Sequence, residues 1–306
     1  MRRILERGQI EAGAERVPRI RLPDPARLFA ARAARFRALA REGAIGSSIA
    51  DYLQLMAALA DAQHGALDAI EPSALRVDEG VSEGGTILSP AVAPYASIFR
   101  DVLGQIVRVL ASRGDLRPST RETLERLANA SADALERHAD ALLARRDDEI
   151  DPATAPFVMA ALQVPYAAAA ARLSPRDVEP RIGPHEGCPA CGTLPVASVV
   201  REDAISRGQR YLHCALCATE WHLVRITCSH CRSVQGLSYL SLDGGPDAIR
   251  AECCDRCRTY RKILYQEKDA DVDPVADDLA SLALDVLLSD EGYHRASGHP
   301  LLWSGR

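Results

Sequence analysis

The chain has 306 residues, of which 47% are hydrophobic and 26% are charged, and its formal net charge is −5 at pH 7. This length allows two or three domains, and the hydrophobic content supports a substantial core. The acidic balance does not favour nucleic acid or an acidic membrane surface as the main partner. No apolar stretch follows Arg2 and Arg3, so the sequence predicts no signal peptide and a cytoplasmic location, where clustered cysteines bind metal.

The first half of the chain predicts helices. Residues 1–22 are polar and unpatterned, and Asp24-Pro25 is typical of a helix cap followed by proline at the first helical position. Residues 71–94 carry Pro, Gly and Ser and predict a long connection. Apolar residues recur at helical spacing from five starting points, which are Phe29, Ile49, Ile98, Leu124 and Phe157. Residues 24–173 therefore indicate an all-helical bundle without cysteine.

Arginine fills many of the remaining positions of the first predicted helix. These residues are Arg27, Arg32, Arg35, Arg37 and Arg41. Such a run is typical of a solvated helix face, and the alternative is a docking surface for an acidic partner.

Two later helices carry signals of their own. Ser119–Glu122 fits a capping box, which predicts that the fourth helix begins there, and a break is expected near Ser131. An uncharged run of 20 residues extends from Pro152 to Ala171, and its second half is mostly alanine. We interpret it as a buried helix and not as a membrane span.

The cysteines follow a repeated pattern. All nine lie between Cys188 and Cys257, and eight of them form four Cys-x-x-Cys pairs. Shifting the first two pairs by 40 residues reproduces the last two, which indicates an internal duplication. Two such turns, brought together by a hairpin, supply four thiolates for one tetrahedral ion. The predicted ligands are Cys188, Cys191, Cys214, Cys217, Cys228, Cys231, Cys254 and Cys257.

Three pairings of these turns are open. In one arrangement, neighbouring turns share a site, first with second and third with fourth. In a cross-braced arrangement, the first turn pairs with the third and the second with the fourth. In the last, the two outer turns form one site and the two inner turns form the other. The repeat favours the first arrangement, because each copy then carries a complete site. Cys253 corresponds by the same offset to His213 and is left out of the ligand set. Disulfides or buried free thiols are the alternative, and they belong mainly to secreted domains.

Zinc and iron both suit four thiolates. Zinc is the more frequent metal in four-cysteine sites. Cys188–Gly192, however, has the form of a turn in the iron protein rubredoxin, in which backbone N–H groups point at the sulfurs. Four cysteines per ion leave no open position for substrate, and the sequence contains none of the common catalytic motifs. We therefore predict that the protein is not an enzyme.

The cysteine region and the residues after it predict strands and a last helix. The strand segments are Val196–Val200, Leu237–Leu240 and Tyr260–Tyr265. Trp221, Leu223 and Leu242 are expected to pack these small units. Asp273-Pro274 predicts the start of a final helix that ends near Gly292. Its expected apolar face consists of Leu279, Leu282 and Val286.

These features predict an α+β multidomain chain. A helical bundle is followed by two tandem rubredoxin-like or zinc-ribbon modules and a C-terminal helix. The expected boundaries are 1–173 for the bundle, 174–187 for a linker, 188–226 and 227–268 for the two four-cysteine modules, and 269–306 for the helix and tail.

Four segments resemble the formate dehydrogenase accessory proteins of the FdhE family. They are Tyr211–Arg225, Cys254–Asp269, Ala276–Asp285 and Cys188–Val196. The resemblance is concentrated in residues 188–295. It implies a cytoplasmic, chaperone-like maturation factor that binds the catalytic subunit of respiratory formate dehydrogenase before export by the twin-arginine pathway. It also implies a rubredoxin-like region with iron, hence two iron ions held by four cysteines each, with zinc as the alternative.

Two other functions compete with this one. A nucleic-acid-binding zinc ribbon requires a positive surface. Residues 182–265 hold ten Arg and Lys against eight Asp and Glu, and thiolate-bound zinc or ferric ions lower this sum to −2 or 0. A rubredoxin-like electron-transfer protein is the other alternative, and the chain shows no partner domain with a flavin or a cluster. We therefore expect no nucleic acid partner and no stable membrane insertion. A homo-oligomer is left open.

Two short segments are candidate contacts with the partner protein. They are Glu220-Trp221-His222, directly after a cysteine turn, and Glu267-Lys268-Asp269, between the second module and the last helix. Exposed aromatic residues dominate many interfaces. The alternative is that Trp221 packs in the core of its own module.

Overall fold

A computed structural model describes residues 17–41, 47–75, 85–183 and 186–303. The helices are α1 (Pro25–Arg41), α2 (Ser47–Leu67), α3 (Ala96–Ala111), α4 (Pro118–Ala128), α5 (Ala132–Ala144), α6 (Ala155–Ala170), α7 (Pro175–Val178), α8 (Ala276–Ala280) and α9 (Leu282–Asp290). The strands are β1 (Ile20–Arg21), β2 (Pro195–Arg201), β3 (Gln209–Cys214), β4 (Glu220–His222), β5 (Leu237–Leu240), β6 (Ile249–Cys254), β7 (Thr259–Tyr265) and β8 (His294–Arg295). The polar stretch up to residue 16 and the connection at 76–84 lie outside the described residues.

Helix α6 is the centre of the helical part. Fifteen of its residues are buried, and only Ala168 is not, so the prediction of a buried helix is confirmed. Gln63 of α2 donates through Nε2 to the carbonyl of Ala160 at 2.8 Å and to Oε1 of Gln163 at 3.0 Å, which satisfies polar groups inside this core. Among the described helices, none is by itself long and apolar enough to cross a membrane; one pair, bent by 107°, passes that test jointly on length and composition alone.

The boundaries of α4 and α5 correct one expectation and confirm another. Helix α4 begins at Pro118 with Arg117 as its N-cap, and no side chain caps it, so the capping box was wrong. Proline at the first helical position moves Ser119 inside the first turn, where its hydroxyl is not at the cap. The break near Ser131 is confirmed: Ser131 is the N-cap of α5, and its Oγ accepts from the N–H of Ala134 at 3.3 Å.

All the strands belong to one sheet, in the order β1-β4-β3-β2-β7-β6-β5, with β8 also pairing with β7. Each cysteine repeat forms its own antiparallel strands, and the expected strand segments in β2, β5 and β7 are confirmed. The two repeats meet where β2 and β7 pair in parallel, with Ser198 opposite Ile263 and Val200 opposite Tyr265. The cysteine region is therefore one continuous sheet, whereas the sequence predicted only two successive modules.

A buried ion pair also links the two repeats. Arg210 of β3 donates to Glu252 of β6 through two nitrogens, at 2.6 and 3.0 Å, and to Oγ of Ser198 at 2.9 Å. The side chains of Arg210 and Glu252 are only 1% and 2% exposed. Two charges this deep are tolerated because each satisfies the other through paired, charge-assisted hydrogen bonds.

The predicted solvated face of α1 is wrong for two of its arginines. Arg32 is 1% exposed, and its Nε lies 3.2 Å from Oδ1 of Asp273. Arg35 contacts Asp277 at 2.6 Å and Asp269 at 2.7 Å. Burial raises the pKa of Asp277 to about 6, against the opposing effect of Arg35. The acidic partner of this helix is thus the C-terminal part of the same chain.

The C-terminal helix begins close to the predicted position but is broken. Oδ1 of Asp273 accepts from the N–H groups of Val275 and Ala276 at 2.9 and 2.8 Å, in the turn that leads into α8, whose N-cap is Val275. The chain departs from helical geometry at Ser281, between α8 and α9. The predicted apolar face is confirmed at Leu279, which is buried, and at Leu282, which packs against the core. The break at Ser281 rotates the following residues, so the prediction is wrong for Val286, which is 61% exposed, and the buried residues of α9 are Leu284 and Leu288.

His299 gives the fold a specific dependence on pH. Its Nε2 hydrogen-bonds the carbonyl of Val275 at 2.9 Å, and its Nδ1 accepts from the N–H of Leu301 at 3.0 Å. The contact at Nδ1 requires the neutral ring, because a protonated Nδ1 cannot accept, and burial lowers the pKa of His299 to about 4. The unfolded chain therefore takes up this proton more readily, and stability present above about pH 6.5 is lost as the pH falls towards 4.

We expect the His299 ring to account for about 2 kcal/mol of the loss of unfolding free energy between pH 7 and pH 5. Urea unfolding of the wild type and of His299→Gln at both pH values measures it. The variant should be less stable at pH 7 and less sensitive to pH. An equal pH dependence in both proteins would contradict this role.

Candidate metal centres

All four Cys-x-x-Cys turns share one backbone form. The residue after the second cysteine has a positive φ in every turn, and these residues are Gly192 (+77°), Ala218 (+58°), Arg232 (+62°) and Arg258 (+55°). Only the first is glycine, so three side chains occupy a conformation that L-residues adopt at some cost. The rubredoxin-like form, which the sequence indicated at Cys188–Gly192 alone, extends to all four turns.

Backbone hydrogen bonds hold each turn. The N–H groups of Cys188, Cys214 and Cys228 donate to the carbonyl five residues later, at 2.9, 3.0 and 2.8 Å respectively. In two turns the N–H of the second cysteine points back at the first sulfur: Cys217 to Cys214 and Cys231 to Cys228, both at 3.4 Å. Such donors favour the thiolate form of the sulfur that accepts them.

The first centre lies at one end of the β2–β3 hairpin. One turn precedes β2 and the other follows β3, and Pro195 faces Cys214 across the hairpin. The Sγ atoms of Cys188 and Cys217 are 3.6 Å apart, and those of Cys191 and Cys214 are 3.5 Å apart. All four sulfurs lie within 4.8 Å of one another.

The second centre repeats this arrangement on β5 and β6. Leu237 faces Cys254 across the strand pair. The Sγ atoms of Cys228 and Cys257 are 3.8 Å apart, and those of Cys231 and Cys254 are 3.7 Å apart. The sulfurs are thus grouped within each repeat, and the structure has neither the cross-braced nor the outer-and-inner arrangement.

The donor sets fit a tetrahedral thiolate-bound ion. A metal–sulfur bond of about 2.3 Å places the sulfurs of such a site about 3.8 Å apart. The closest sulfur pairs in both centres lie between 3.5 and 3.8 Å. Four soft donors without a hard one suit zinc or iron and disfavour magnesium or calcium. Both groups can hold a metal ion, and the geometry does not distinguish the two metals.

Burial sets the protonation of these thiols. It raises the pKa of Cys188 and Cys214 well above the usual value, and that of Cys228 to about 12. At Cys257 burial is outweighed by hydrogen bonds with Thr259, which lower the pKa to about 7. A metal ion must therefore displace protons from the thiols whose pKa is raised, so that binding releases protons and weakens at low pH.

Sequence reasoning missed the hydroxyl residues beside the sulfurs. A Ser or Thr stands two residues after every turn, at Thr193, Thr219, Ser233 and Thr259. Thr219 Oγ1 lies 3.2 Å from Sγ of Cys217, and Thr259 Oγ1 lies 3.0 Å from Sγ of Cys257. The 40-residue offset that relates the cysteines relates these hydroxyls too, so the signal was present in the sequence.

Cys253 lies outside both groups. It is fully buried, in a small apolar cluster with Ile249, Tyr260 and Leu288. Burial raises its pKa to about 11, so this thiol stays protonated at neutral pH. It packs as a small apolar side chain on the face of β6 opposite that of its neighbour Cys254.

We expect Cys253→Ser to retain the full metal content, and Cys254→Ser to lose one ion per chain. Serine at position 253 removes no ligand, whereas at position 254 it leaves three sulfurs around the ion. Metal analysis of both purified variants tests this pair. The reverse result would mean that the last pair of ligands is out of register by one residue.

The candidate contact segments occupy different environments. Trp221 is 2% exposed, so it packs in the core and is not an exposed aromatic anchor; this corrects the expectation that it meets a partner. Glu220 is buried, with an ion pair to Arg201 and a hydrogen bond with Nδ1 of His213, and His222 is half-buried. In the second segment, Glu267 and Lys268 are exposed, and Asp269 is half-buried against Arg35.

Comparison with known proteins gives matches along almost the whole chain. Family models of FdhE match in three parts: the N-terminal part at residues 17–182, the central domain at 187–225 and the C-terminal domain at 226–302. The FdhE homologue of Serratia proteamaculans is 41% identical over 301 residues, covering 95% of this chain and 93% of that protein. The homologue of Cronobacter sakazakii is 39% identical, covering 99% and 98% respectively.

The crystal structure of FdhE from Pseudomonas aeruginosa is similar as well. It superposes with a TM-score of 0.76 at 35% sequence identity, covering 94% of this chain and all of the crystallised one. Three adjoining family models, two relatives near 40% identity and one solved structure agree. The chain belongs to the FdhE family.

Proposed function

We propose that this protein is a cytoplasmic accessory factor for the maturation of respiratory formate dehydrogenase. It binds the catalytic subunit of that enzyme before export by the twin-arginine pathway, and it carries two metal centres, each with four cysteine ligands. The observation that carries the proposal is full-length membership of the FdhE family together with two complete groups of four sulfurs. Those properties fit a formate dehydrogenase accessory protein.

The metal centres support a role without turnover. An ion held by four thiolates has no open position for a substrate or a reactive water, which a hydrolytic metal requires. Iron is the metal that we propose, because the resemblance to the FdhE family implies a rubredoxin-like region with iron, and the backbone form of all four turns is compatible with it. Protein purified in air after growth in iron-rich medium should then show ferric-thiolate absorption. Stoichiometric zinc in colourless protein would limit the centres to a structural role.

Among the six candidate contact residues, Glu267 and Lys268 are the ones that a partner can reach directly. They follow β7, near the point where Arg35 of α1 contacts Asp269, so this surface joins the sheet to the helical part. A client protein bound there would contact both parts at once. We therefore propose this junction as a contact surface for the catalytic subunit.

A deletion strain and a capture experiment test the proposed function. The strain should make the formate dehydrogenase polypeptide but little active enzyme, and the wild-type gene should restore activity. The purified protein should capture the catalytic subunit, and Glu267→Ala/Lys268→Ala should weaken capture. Glu125→Ala, an exposed change on α4, is the matched control. Full enzyme activity in the deletion strain, with no capture of the subunit, would overturn the proposal.

A further inference from the structure

The two metal centres differ in their access to solvent. In the first, the four cysteines are between 0 and 1% exposed. In the second, Cys228 and Cys254 are buried, Cys257 is half-buried and Cys231 is exposed. Each turn of the second centre thus has its first cysteine inside and its second cysteine towards the surface. The two donor sets are chemically identical, so burial is the clearest difference between them.

The first centre is covered by the helical part. The carbonyl of Ala190, inside the first turn, accepts from the N–H of Leu88 at 2.9 Å. The carbonyl of Ala215, inside the second turn, accepts from Nε2 of Gln163 of α6 at 2.8 Å. The four ligands also belong to the main apolar core of the chain. An incoming molecule reaches these sulfurs only after the helices separate from the sheet.

Contacts of the second centre with the rest of the chain, such as the hydrogen bond from Arg258 to the carbonyl of Glu291 at 2.7 Å, leave Cys231 exposed. The ligands of this centre lie outside both buried apolar clusters, although Cys253 next to them belongs to one. The ring of the exposed residue His230, next to Cys231, hydrogen-bonds the carboxylate of Glu186 at 2.9 Å. The apolar side chains of Ile226 and Val234, on either side of this turn in the chain, are 65% and 64% exposed. A ligand approaching Cys231 therefore displaces little structure.

We propose that the second centre is a metal-exchange site, and that the first holds its ion as a permanent part of the fold. This inference rests on the part of the proposed function that places metal in both centres. Cys231, the exposed ligand, is the sulfur that would leave the ion during exchange, as an incoming thiolate or other soft donor takes its place. The released Cys231 thiolate takes a proton from water, and the oxidation state of the ion does not change.

Chelator competition on the full-length protein loaded with two zinc ions tests the proposal. With a chromogenic zinc chelator in excess, we expect two phases of release of equal amplitude, with rates that differ at least about tenfold because the first centre needs a larger opening. Cys228→Ser should bind one ion and show the slow phase alone. Cys253→Ser, which changes a buried cysteine outside both groups, is the matched control and should keep both phases.

Alkylation gives a second readout that does not depend on a variant folding. In the zinc-loaded wild type, iodoacetamide should label Cys231 first, and the four cysteines of the first centre should stay protected. The proposed exchange site would be contradicted if both ions left at one rate, or if the first centre were labelled before Cys231. Neither result would contradict the proposed function. Protein that binds no metal would overturn both.

Discussion

Cys188→Ser is expected to remove one metal ion per chain, leave the second centre occupied and lower stability throughout the molecule. Cys188 is 1% exposed and belongs to the main apolar core that joins the helices to the sheet. Structural zinc sites contribute about 10–16 kcal/mol of binding free energy, against a net stability of about 5–15 kcal/mol for a typical protein. Weakening one such site is therefore enough to lower the stability of the whole chain substantially.

Cys228→Ser is the matched comparison, because it removes the equivalent ligand from the more exposed centre. It should also lose one ion, with a smaller fall in the midpoint of thermal unfolding. Metal analysis and circular dichroism on heating measure both quantities. Loss of both ions from either variant would show that the centres are not independent, and equal falls in the midpoint would show that burial does not distinguish them.

Breaking the ion pair between Arg210 and Glu252 should cost about 3–5 kcal/mol of unfolding free energy, because one buried charge is left without its partner. Arg210→Met tests this by urea unfolding at pH 7. The double variant Arg210→Met/Glu252→Leu should recover most of the loss, since neither charge then remains. Similar stability of the single and double variants would contradict an uncompensated charge as the cause.

Arg250→Met is the control that the chain itself provides. Arg250 occupies the position 40 residues after Arg210, so the two are equivalent in the repeat. Arg250 is exposed and lies over the ring of Tyr265, with 5.5 Å between the guanidinium carbon and the ring centroid. Its replacement should change the unfolding free energy by no more than about 1 kcal/mol.

Structural features that depend on residues close together in the chain were predicted correctly from the sequence. The cysteine turns, the strands that separate them and the buried helix α6 all follow from spacing and local composition. The grouping of the sulfurs into two sets of four could be predicted too, because the 40-residue repeat favours one complete centre per copy.

Features that depend on contacts between residues distant in the chain could not be predicted from the sequence. Arg32 and Arg35 have the spacing of a solvated face, yet their carboxylate partners lie more than 230 residues away. The parallel pairing of β2 with β7 joins two segments that each read as a complete unit. Val286 was assigned to the wrong face because the chain breaks at Ser281, where the sequence carries neither Gly nor Pro to mark it.

The ion pairs between α1 and the C-terminal region have a consequence for synthesis on the ribosome. The carboxylates of Asp273 and Asp277 are made about 240 residues after Arg32 and Arg35. At about 5–20 residues per second, the first helix waits roughly 10–50 s for them. During that interval its two arginines have no carboxylates from this region to neutralise them. Helix α1 therefore cannot complete the burial of these arginines until the last 40 residues have been made.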